Sequence, residues 1–308
     1  MVMLLNEFYI LYYKMERSKQ ARSLKERSKQ FIPFWMQKFI YVFVKKCRFL
    51  KYSASRQKIT KEYLKNIFQQ AGLKKGDIVV VHSSLGRIGY VEGGAGAVID
   101  AFLEIVGKEG LLIMPAFSAL HYDAKRRMHV FNVQNTPTYT GAIPETFRKR
   151  KGVYRSISPT HSYCAFGKRA AEFVKNHENC DNPFSMDGPF GKLYHWNAKI
   201  FLIGVDQLAN TPLHIVEDKT NFPVKVFTNP FKVIVRDCGK EKIIEAKCHL
   251  DCLRKHRDPN ILEKYCKRYS VMDIYSLGNT RLRVLNTKNF VDMMEKLVAQ
   301  HITIYTPR

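Results

Sequence analysis

Apolar residues from residue 58 onward alternate between the spacing of helices and the spacing of buried strands. Thr60 is predicted to cap a first helix that ends near Gly72. Within it, Tyr63, Ile67 and Phe68 fall near helical spacing. In chain order, the pattern then predicts a strand at 77–82, a helix at 97–106 after two glycines, strands at 111–114 and 199–205, and a hairpin of 233–235 with 242–246 around Gly239.

Strands that alternate with helices predict a layered α/β domain. Because strand pairs also occur near the end of the chain, the expected architecture is a central mixed β-sheet flanked by helices. The glycine fingerprint of a dinucleotide fold is absent from the sequence, and so is the Gly-Lys-Ser/Thr of a phosphate loop. Those two nucleotide-binding folds are therefore not expected.

Residues 1–57 are predicted to form a basic, aromatic-rich helical extension to a domain at 58–308. Residues 1–58 contain 14 Lys and Arg against 3 Glu, a net charge of +11 within a total of +24. The apolar segment 31–44 is shorter than the roughly 20 residues that a spanning helix needs. It is typical of a helix on an anionic membrane surface, of a partner-binding helix, or of a poorly ordered arm, and the sequence leaves these open.

Seven cysteines, an odd number, and a start without a basic leader favour free thiols in a reducing compartment. The predicted location is the cytoplasm, and the extension adds the prediction of peripheral contact with the inner face of the membrane. Zinc is an alternative for Cys248, His249, Cys252, His256 and Cys266. Their spacing lacks the tight pairs of structural zinc sites, so no metal is expected.

The clearest candidate for chemistry is His214 with Glu217, in the segment TPLHIVED at 211–218. A spacing of three places both side chains on one face of a helix. A carboxylate there orients an imidazole and raises its basicity, so that it takes a proton from a nucleophile near neutral pH. Asp218 is an alternative carboxylate, and an ordinary surface pair is the alternative to catalysis.

Further motifs accompany this pair in a fixed order. They are VVVHSSLG at 79–86 with VEGGAG at 91–96, GLLIMPAFS at 110–118, GAIPETFR at 141–148 with RSISPTHS at 155–162 and FGKRA at 166–170, IFLIGV at 200–205, and LGNTRLR at 277–283 with NFVD at 289–292. Together with the His-x-x-Glu segment they resemble the aminoglycoside 3-N-acetyltransferase family. The resemblance covers about residues 58–300 and leaves out residues 1–57.

The resemblance implies acetyl transfer from acetyl-coenzyme A to an amine, with His214 as general base and Glu217 as its partner. It also implies that Ser83, Ser84 and Leu85 line the acetyl-coenzyme A site. Four further residues are expected in that coenzyme site: Thr160 and Ser162 as hydroxyl donors, Arg155 as a phosphate partner, and Ser118 without an assigned role.

The same residues have simpler explanations. Ser83 and Ser84 follow a predicted strand and also suit a turn in which serine caps local amides. Gly93-Gly94 suits either a close approach to a coenzyme phosphate at a helix start or a simple turn. Arg155 also suits a surface ion pair.

One position departs from the family pattern, because Ser158-Pro159 stands where the family commonly has His-Pro. His161 lies three residues on, but relatives often have a histidine there too, so its presence is not evidence of a replacement. The departure leaves open a catalytically weak relative that binds coenzyme A as a scaffold. Cys164 offers a rival mechanism through an acetyl-thiol, although a small buried cysteine is the usual occupant of a strand.

The charge of the chain bears on the acceptor. Aminoglycosides are polycations, whereas Asp123 is the only carboxylate between His121 and Pro144 and is followed by Lys-Arg-Arg at 125–127. This field repels a polycation. The hypothesis is a small-molecule acceptor, an anionic or neutral amino sugar, with an aminoglycoside-type acceptor as the alternative. The positive charge also fits nucleic acid, but the acidic residues are interspersed and no recognition module appears, so no nucleic-acid partner is expected.

Overall fold

The computed structural model describes residues 58–250 and 257–305 as an α/β fold with two β-sheets. The helices are α1 (Lys61–Gln70), α2 (Leu85–Ile88), α3 (Gly94–Val106), α4 (Ala142–Arg148), α5 (Ala170–Val174), α6 (Pro189–His195), α7 (Ile215–Lys219), α8 (Leu262–Arg268) and α9 (Thr287–Ala299). The strands are β1 (Ile78–Ser83), β2 (Leu111–Pro115), β3 (His121–Asp123), β4 (Met128–Asn132), β5 (Tyr154–Arg155), β6 (Tyr163–Gly167), β7 (Lys199–Ile203), β8 (Phe231–Asp237), β9 (Lys240–Ala246), β10 (Met272–Leu277) and β11 (Thr280–Asn286).

The predicted extension at 1–57 lies outside the described residues, so its boundary and its contact with a membrane stay predictions. Within the two described ranges, none of the helices combines the length and the apolar composition that crossing a membrane requires.

The larger sheet has seven strands in the order β10-β11-β7-β1-β2-β6-β5. Its centre is parallel, because β1 pairs with both β2 and β7 in the same direction. On either side, β11 and β6 pair antiparallel. Parallel neighbours need a crossover connection, and the chain between β1 and β2 contains α3. The predicted central mixed sheet flanked by helices is confirmed.

Apolar side chains fill both faces of this sheet. On β7, Ile200 packs into one core cluster and Phe201 packs into the other. The second cluster includes Phe68 of α1 and Phe102 of α3, whose rings stack with their centroids 4.2 Å apart. Burial on both faces explains why the central strands are continuous apolar runs.

The first helix begins as predicted. Thr60 has an extended backbone, and its Oγ1 accepts a hydrogen bond from the Tyr63 backbone N–H at 3.1 Å, so it is the N-cap. Leu64 and Phe68 face the core. The helix ends just before Gly72, whose φ of +84° lies in the left-handed region that favours glycine.

The hairpin predicted around Gly239 is confirmed as β8 and β9, which pair antiparallel along their whole length. It does not extend the central sheet. It forms a second sheet in the order β3-β4-β8-β9, in which β4 and β8 run parallel. The local pattern could not indicate this sheet, because the β4–β8 pairing joins segments about a hundred residues apart.

The carboxyl ends of the parallel strands β1 and β7 lie side by side, because Ser83 pairs with Ile203. Ligands of open α/β sheets bind at this edge. From β7 the chain continues to a 3₁₀ turn at Thr211–His214. The Thr211 Oγ1 lies 3.5 Å from the Nε2 of His82 in β1. The edge therefore brings the segment that carries His214 close to the strand that carries the predicted coenzyme serines.

Candidate active site

His214 is the last residue of the 3₁₀ turn Thr211–His214, and α7 follows it directly. Pro212 stands at the start of the turn, where its fixed φ suits a helical entry. Leu213 and Ile215 are buried on either side of the histidine, and the Thr211 hydroxyl is 2.7 Å from the Tyr163 hydroxyl of β6. Buried neighbours and this tie to the sheet fix the backbone that presents the imidazole.

The His214 Nδ1 and the Glu217 Oε1 are 2.7 Å apart, and both side chains are buried. The predicted one-face arrangement is present, although it spans a 3₁₀ turn and an α-helix rather than one helix. Because a carboxylate only accepts hydrogen bonds, Nδ1 carries the ring proton and donates a hydrogen bond to Oε1. The Nε2 of the neutral ring then carries the lone pair that a base requires.

The charges of this pair suit a base at neutral pH. Burial lowers the pKa of His214, and the charge and hydrogen bond of Glu217 only partly raise it again. Burial acts on Glu217 in the opposite sense, but the hydrogen bonds and charges of His214 and His249 bring its pKa to about 2. Near pH 7 the pair is therefore a carboxylate beside a neutral imidazole.

Tyr305 and His249 also lie against the Glu217 carboxylate. The Tyr305 hydroxyl donates to Glu217 Oε1 at 2.7 Å and lies 2.9 Å from His249 Nε2. Because the hydroxyl uses its one proton in the hydrogen bond to Oε1, it accepts a hydrogen bond from the Nε2–H of His249. The Glu217 Oε2 has no well-formed hydrogen bond among the described residues, and its neighbour at 3.3 Å is the same His249 nitrogen. The carboxylate thus contacts His214 from the same turn, and Tyr305 and His249 from distant segments.

Replacing Tyr305 by Phe is expected to reduce kcat about tenfold and to leave KM unchanged. A hydrogen bond to a charged group is typically worth about 1.5–3 kcal/mol, equivalent to about ten- to a hundredfold, and the hydroxyl contacts Glu217 rather than a substrate. Steady-state kinetics of the variant check this. Tyr122→Phe, at an exposed tyrosine, is the matched control, and a rise in KM at constant kcat would contradict the assignment.

Two further residues contact the His214 ring. Phe184 stacks on it with the ring centroids 4.6 Å apart. Arg257 donates from Nη1 to Nε2 across 3.3 Å. The lone pair that would receive a proton is therefore engaged by a guanidinium in this state, so an acceptor amine must displace that contact.

Asp218, the alternative carboxylate, is engaged elsewhere. Its Oδ2 accepts from the Met186 backbone N–H at 2.7 Å, and its Oδ1 accepts from the Asn182 side chain. Glu217 is therefore the carboxylate that contacts the imidazole.

The sequence indicated His249 only as a zinc alternative and did not predict Phe184, Arg257 and Tyr305 as site residues. No local pattern marks these residues, because each lies far from His214 along the chain.

The coenzyme residues predicted at the end of β1 differ in their surroundings. The Ser83 Oγ is buried and, within the described ranges, has no hydrogen-bond partner. Ser84 is the N-cap residue of α2 without a side-chain capping bond, and its backbone N–H donates to Ile203 O at 2.9 Å. Leu85 packs against a core cluster. A buried hydroxyl without a partner carries a desolvation cost, and a ligand oxygen would relieve it.

Ser118, Arg155 and Ser162 form one buried network. The Arg155 guanidinium donates to both serine hydroxyls, with Nη2 2.6 Å from Ser118 Oγ and Nε 3.1 Å from Ser162 Oγ. It also donates to the backbone carbonyls of Ala116, Val133 and Thr136. Burial lowers the pKa of Arg155 to about 10. These hydrogen bonds favour a role in fixing the loop after β2 over one as a phosphate partner.

The segment around Ser158 contacts the base indirectly. The Thr160 Oγ1 lies 2.9 Å from His161 Nδ1 and donates to Lys247 O at 3.4 Å. The His161 ring packs edge-on against Phe184 at 4.8 Å, and Phe184 in turn stacks on His214. Ser158 is buried, and its Oγ accepts from the His161 backbone N–H at 3.3 Å. Here the serine supports the loop.

Gly93 and Gly94 both have positive φ at the start of α3, so the turn requires these glycines whatever their relation to a phosphate.

The rival nucleophile Cys164 is buried in β6, and burial raises the pKa of its thiol to about 12. A thiol is a far weaker nucleophile than a thiolate. The structure therefore disfavours a covalent route through Cys164.

Among the described residues, His214, Glu217 and His249 are the group whose side chains could together hold a metal ion, with ligand atoms within 4.8 Å of one another. Two histidines and a glutamate also occur as zinc ligands in enzymes. Here hydrogen bonds already join the three. Cys248 and Cys266 belong to no such group in the described ranges, and Cys252 and His256 lie outside them. The expectation of no metal stays a prediction.

A buried imidazole hydrogen-bonded to a carboxylate lies near the carboxyl ends of parallel strands, where open α/β sheets bind their ligands. The family model described as aminoglycoside 3-N-acetyltransferase matches residues 80–299. The chain belongs to the aminoglycoside 3-N-acetyltransferase family, as the order of motifs predicted, and the predicted enzyme class, an acetyl-coenzyme A-dependent acyltransferase, is confirmed.

Two curated relatives illustrate the similarity. The SPbeta prophage-derived aminoglycoside N(3')-acetyltransferase-like protein YokD of Bacillus subtilis (strain 168) is 30% identical over 255 residues, 77% of this chain and 91% of that protein. Aminoglycoside N(3)-acetyltransferase IX of Micromonospora chalcea is 30% identical over 174 residues, 52% of this chain and 62% of that enzyme. Similarity to YokD thus extends over most of both proteins.

Solved structures show the same fold. The crystal structure of aminoglycoside acetyltransferase AAC(3)-Xa superposes with a TM-score of 0.73 at 22% identity, over 84% of this chain and 99% of that one. The YokD crystal structure gives 0.68 at 28% identity, over 80% and 95%. AAC-IIIb, solved as a binary complex with CoASH, gives 0.71 at 18% identity, over 82% of this chain and all of that one.

Proposed function

We propose that this protein transfers an acetyl group from acetyl-coenzyme A to the amine of an amino-sugar or aminoglycoside-type acceptor, with His214 as general base and Glu217 as its orienting partner. The observation that carries the proposal is the buried His214–Glu217 contact of 2.7 Å. Burial holds the pKa of the imidazole below its usual range. Family membership supplies the reaction class, and the residues of this chain supply the roles.

The acceptor nitrogen attacks the thioester carbonyl, a C–N bond forms, and the C–S bond breaks. His214 Nε2 takes the proton that the nitrogen loses and returns it to the departing thiolate, which gives an amide and coenzyme A. Glu217 stabilises the transient imidazolium through Nδ1–H. General-base assistance of this kind contributes about a hundredfold to ten-thousandfold.

Ser83 is proposed as the donor for the acetyl-coenzyme A side. The thioester oxygen gains negative charge during attack, and a preorganised hydroxyl or N–H must face it. The Ser83 Oγ is buried at the end of β1 without a partner among the described residues. The chemistry of this hydroxyl fits the thioester, whereas the hydrogen bonds of Ser118, Arg155 and Ser162 are made within the protein.

The kcat for acetyl transfer is expected to fall at acidic pH, with an apparent pKa below the ordinary histidine value of about 6.5. Burial lowers the pKa of His214, and only the neutral ring accepts a proton. The contribution of the base is therefore full above that pKa and is lost as the pH falls through it. A kcat profile by thiol release, taken with two acceptors of different amine pKa, checks this. An acid limb that moves with the acceptor amine would contradict the assignment.

A catalytically weak scaffold that binds coenzyme A is the second candidate, motivated by the Ser158 departure. Thermal unfolding with and without coenzyme A, measured beside thiol release with amine acceptors, separates the two. Protection together with turnover supports the enzyme. Protection without turnover of any amine would favour the scaffold.

A further inference from the structure

An open cavity of about 330 Å³ has Glu217 of the base pair among its lining residues. Its wall runs from Glu217 along the segment 222–230 and includes Lys247. Phe222 packs edge-on against Tyr305, and Phe227 packs edge-on against His249. The wall is therefore continuous with the two residues that hold Glu217.

The described residues that line this cavity include two lysines and one carboxylate, a formal net charge of +1. Lys225 is exposed, and its Nζ is 3.4 Å from Asn229 Oδ1. Lys247 forms an ion pair with Asp181 at 2.8 Å, and that aspartate is largely exposed to solvent. Glu217 is the one carboxylate among the described lining residues, and its side chain is 1% exposed and already engaged by His214.

A positive wall of this kind suits one class of acceptor. A polycationic amine would meet two lysines here and the Arg257 guanidinium beside the base, and like charges at an interface are repulsive. An acceptor that carries a phosphate would meet donors matched to it. Phe222 and Phe227 add apolar faces to the same wall, which suits the apolar face of a sugar ring.

The other source of phosphate in the reaction is the coenzyme. Three residues expected on the coenzyme side, Ser83, Ser84 and Leu85, lie at the end of β1 and do not line this cavity. Thr160, also expected there, contacts the backbone carbonyl of Lys247 and not its ammonium group. The cavity is bounded instead by the segment that leads into β8 and by Lys247 after β9. This separation favours the acceptor as the source of the anionic group.

We propose that this cavity binds the phosphate of an anionic amino-sugar acceptor, with Lys225 and Lys247 as its ligands. The proposal rests on the proposed function, because it assigns the acceptor side of the same site. It makes the protein a relative of aminoglycoside acetyltransferases with the opposite preference for acceptor charge.

The test compares glucosamine with glucosamine 6-phosphate, which differ only in the phosphate, and adds kanamycin as a polycation. Thiol release is measured for the full-length protein and for the variants Lys225→Glu and Lys247→Gln. The phosphorylated sugar is expected to have the lower KM, and each variant is expected to raise it about tenfold without changing KM for glucosamine. Lys232→Glu, at an exposed lysine of β8 outside the cavity, is the matched control.

Binding supplies a second measurement that does not depend on turnover. Calorimetry with glucosamine 6-phosphate in the presence of coenzyme A is expected to show binding that Lys225→Glu weakens. Comparable affinity for both sugars, or kanamycin as the preferred acceptor, would overturn the anion site and leave the acetyltransferase proposal intact. Lysine-dependent binding without turnover of any amine would support the anion site and count against the acetyltransferase proposal.

The coenzyme arm uses acetyl-coenzyme A and its 3'-dephospho form. If Lys225→Glu raised KM for acetyl-coenzyme A, and the dephospho form removed the difference, the lysines would serve the coenzyme. That result would overturn the assignment to the acceptor. Unchanged KM for both coenzyme forms in the variants is the result that the proposal expects.

Discussion

Replacing His214 by Asn is expected to lower kcat/KM for acetyl transfer by about a hundredfold to ten-thousandfold, the usual contribution of a positioned base. The loss follows because the Nε2 lone pair disappears. Phe184, which stacks on the His214 ring, is unchanged in the variant. The KM for acetyl-coenzyme A is expected to change little, because the expected coenzyme contacts lie at the end of β1. Thiol-release kinetics at saturating acceptor give the measurement.

The control for this variant is His177→Asn. His177 is also buried, with its ring hydrogen-bonded to Ser156 Oγ and Pro183 O, so it reports the cost of losing a buried imidazole outside the base pair. Unfolding midpoints of both variants establish that they are folded. A folded His214→Asn protein with undiminished acetyl transfer would remove the general base from the mechanism.

Glu217→Gln is expected to reduce kcat by up to about ten-thousandfold, the loss seen when a catalytic imidazole of a Ser-His-Asp triad loses its carboxylate partner. The amide is nearly the same size, but its NH₂ group can face Nδ1 and favour the wrong tautomer of His214. The negative charge that raises the pKa of His214 is lost as well. The acid limb of the kcat profile is therefore expected to move to lower pH.

Asp218→Asn is the matched control for that variant. It removes a neighbouring carboxylate whose contacts are Met186 and Asn182 rather than the imidazole. A small effect of Asp218→Asn beside a large effect of Glu217→Gln is the expected result. Equal losses in the two variants, or an acid limb that moves to higher pH in Glu217→Gln, would reject Glu217 as the orienting partner.

The shift to lower pH separates two roles for Glu217. A carboxylate that only supported the fold would change the unfolding midpoint and leave the pKa of the base where it was. A carboxylate that interacts with the imidazolium must lower that pKa when it is lost, because an opposite charge favours the protonated form. The pH profile therefore tests positioning and charge together.

Residue patterns along the chain were sufficient to predict the central elements of the fold. The apolar runs of β1, β2 and β7 appeared as strands because those segments are buried on both faces, and Thr60 and Gly72 marked the ends of α1 through their own backbone preferences. The spacing of His214 and Glu217 is also local. A three-residue separation places two side chains together in a 3₁₀ or an α-helical turn alike.

The tertiary structure decided what surrounds that pair. The second sheet, the contact of Tyr305 and His249 with Glu217, and the Arg257 guanidinium at His214 Nε2 all join segments far apart in sequence. Contacts of this kind depend on how layers pack, and a local pattern of apolar and polar residues carries no information about them. Packing also gave the predicted coenzyme residues different surroundings. The Ser83 hydroxyl has no hydrogen-bond partner among the described residues. Arg155 is instead hydrogen-bonded to Ser118 and Ser162 in a buried network.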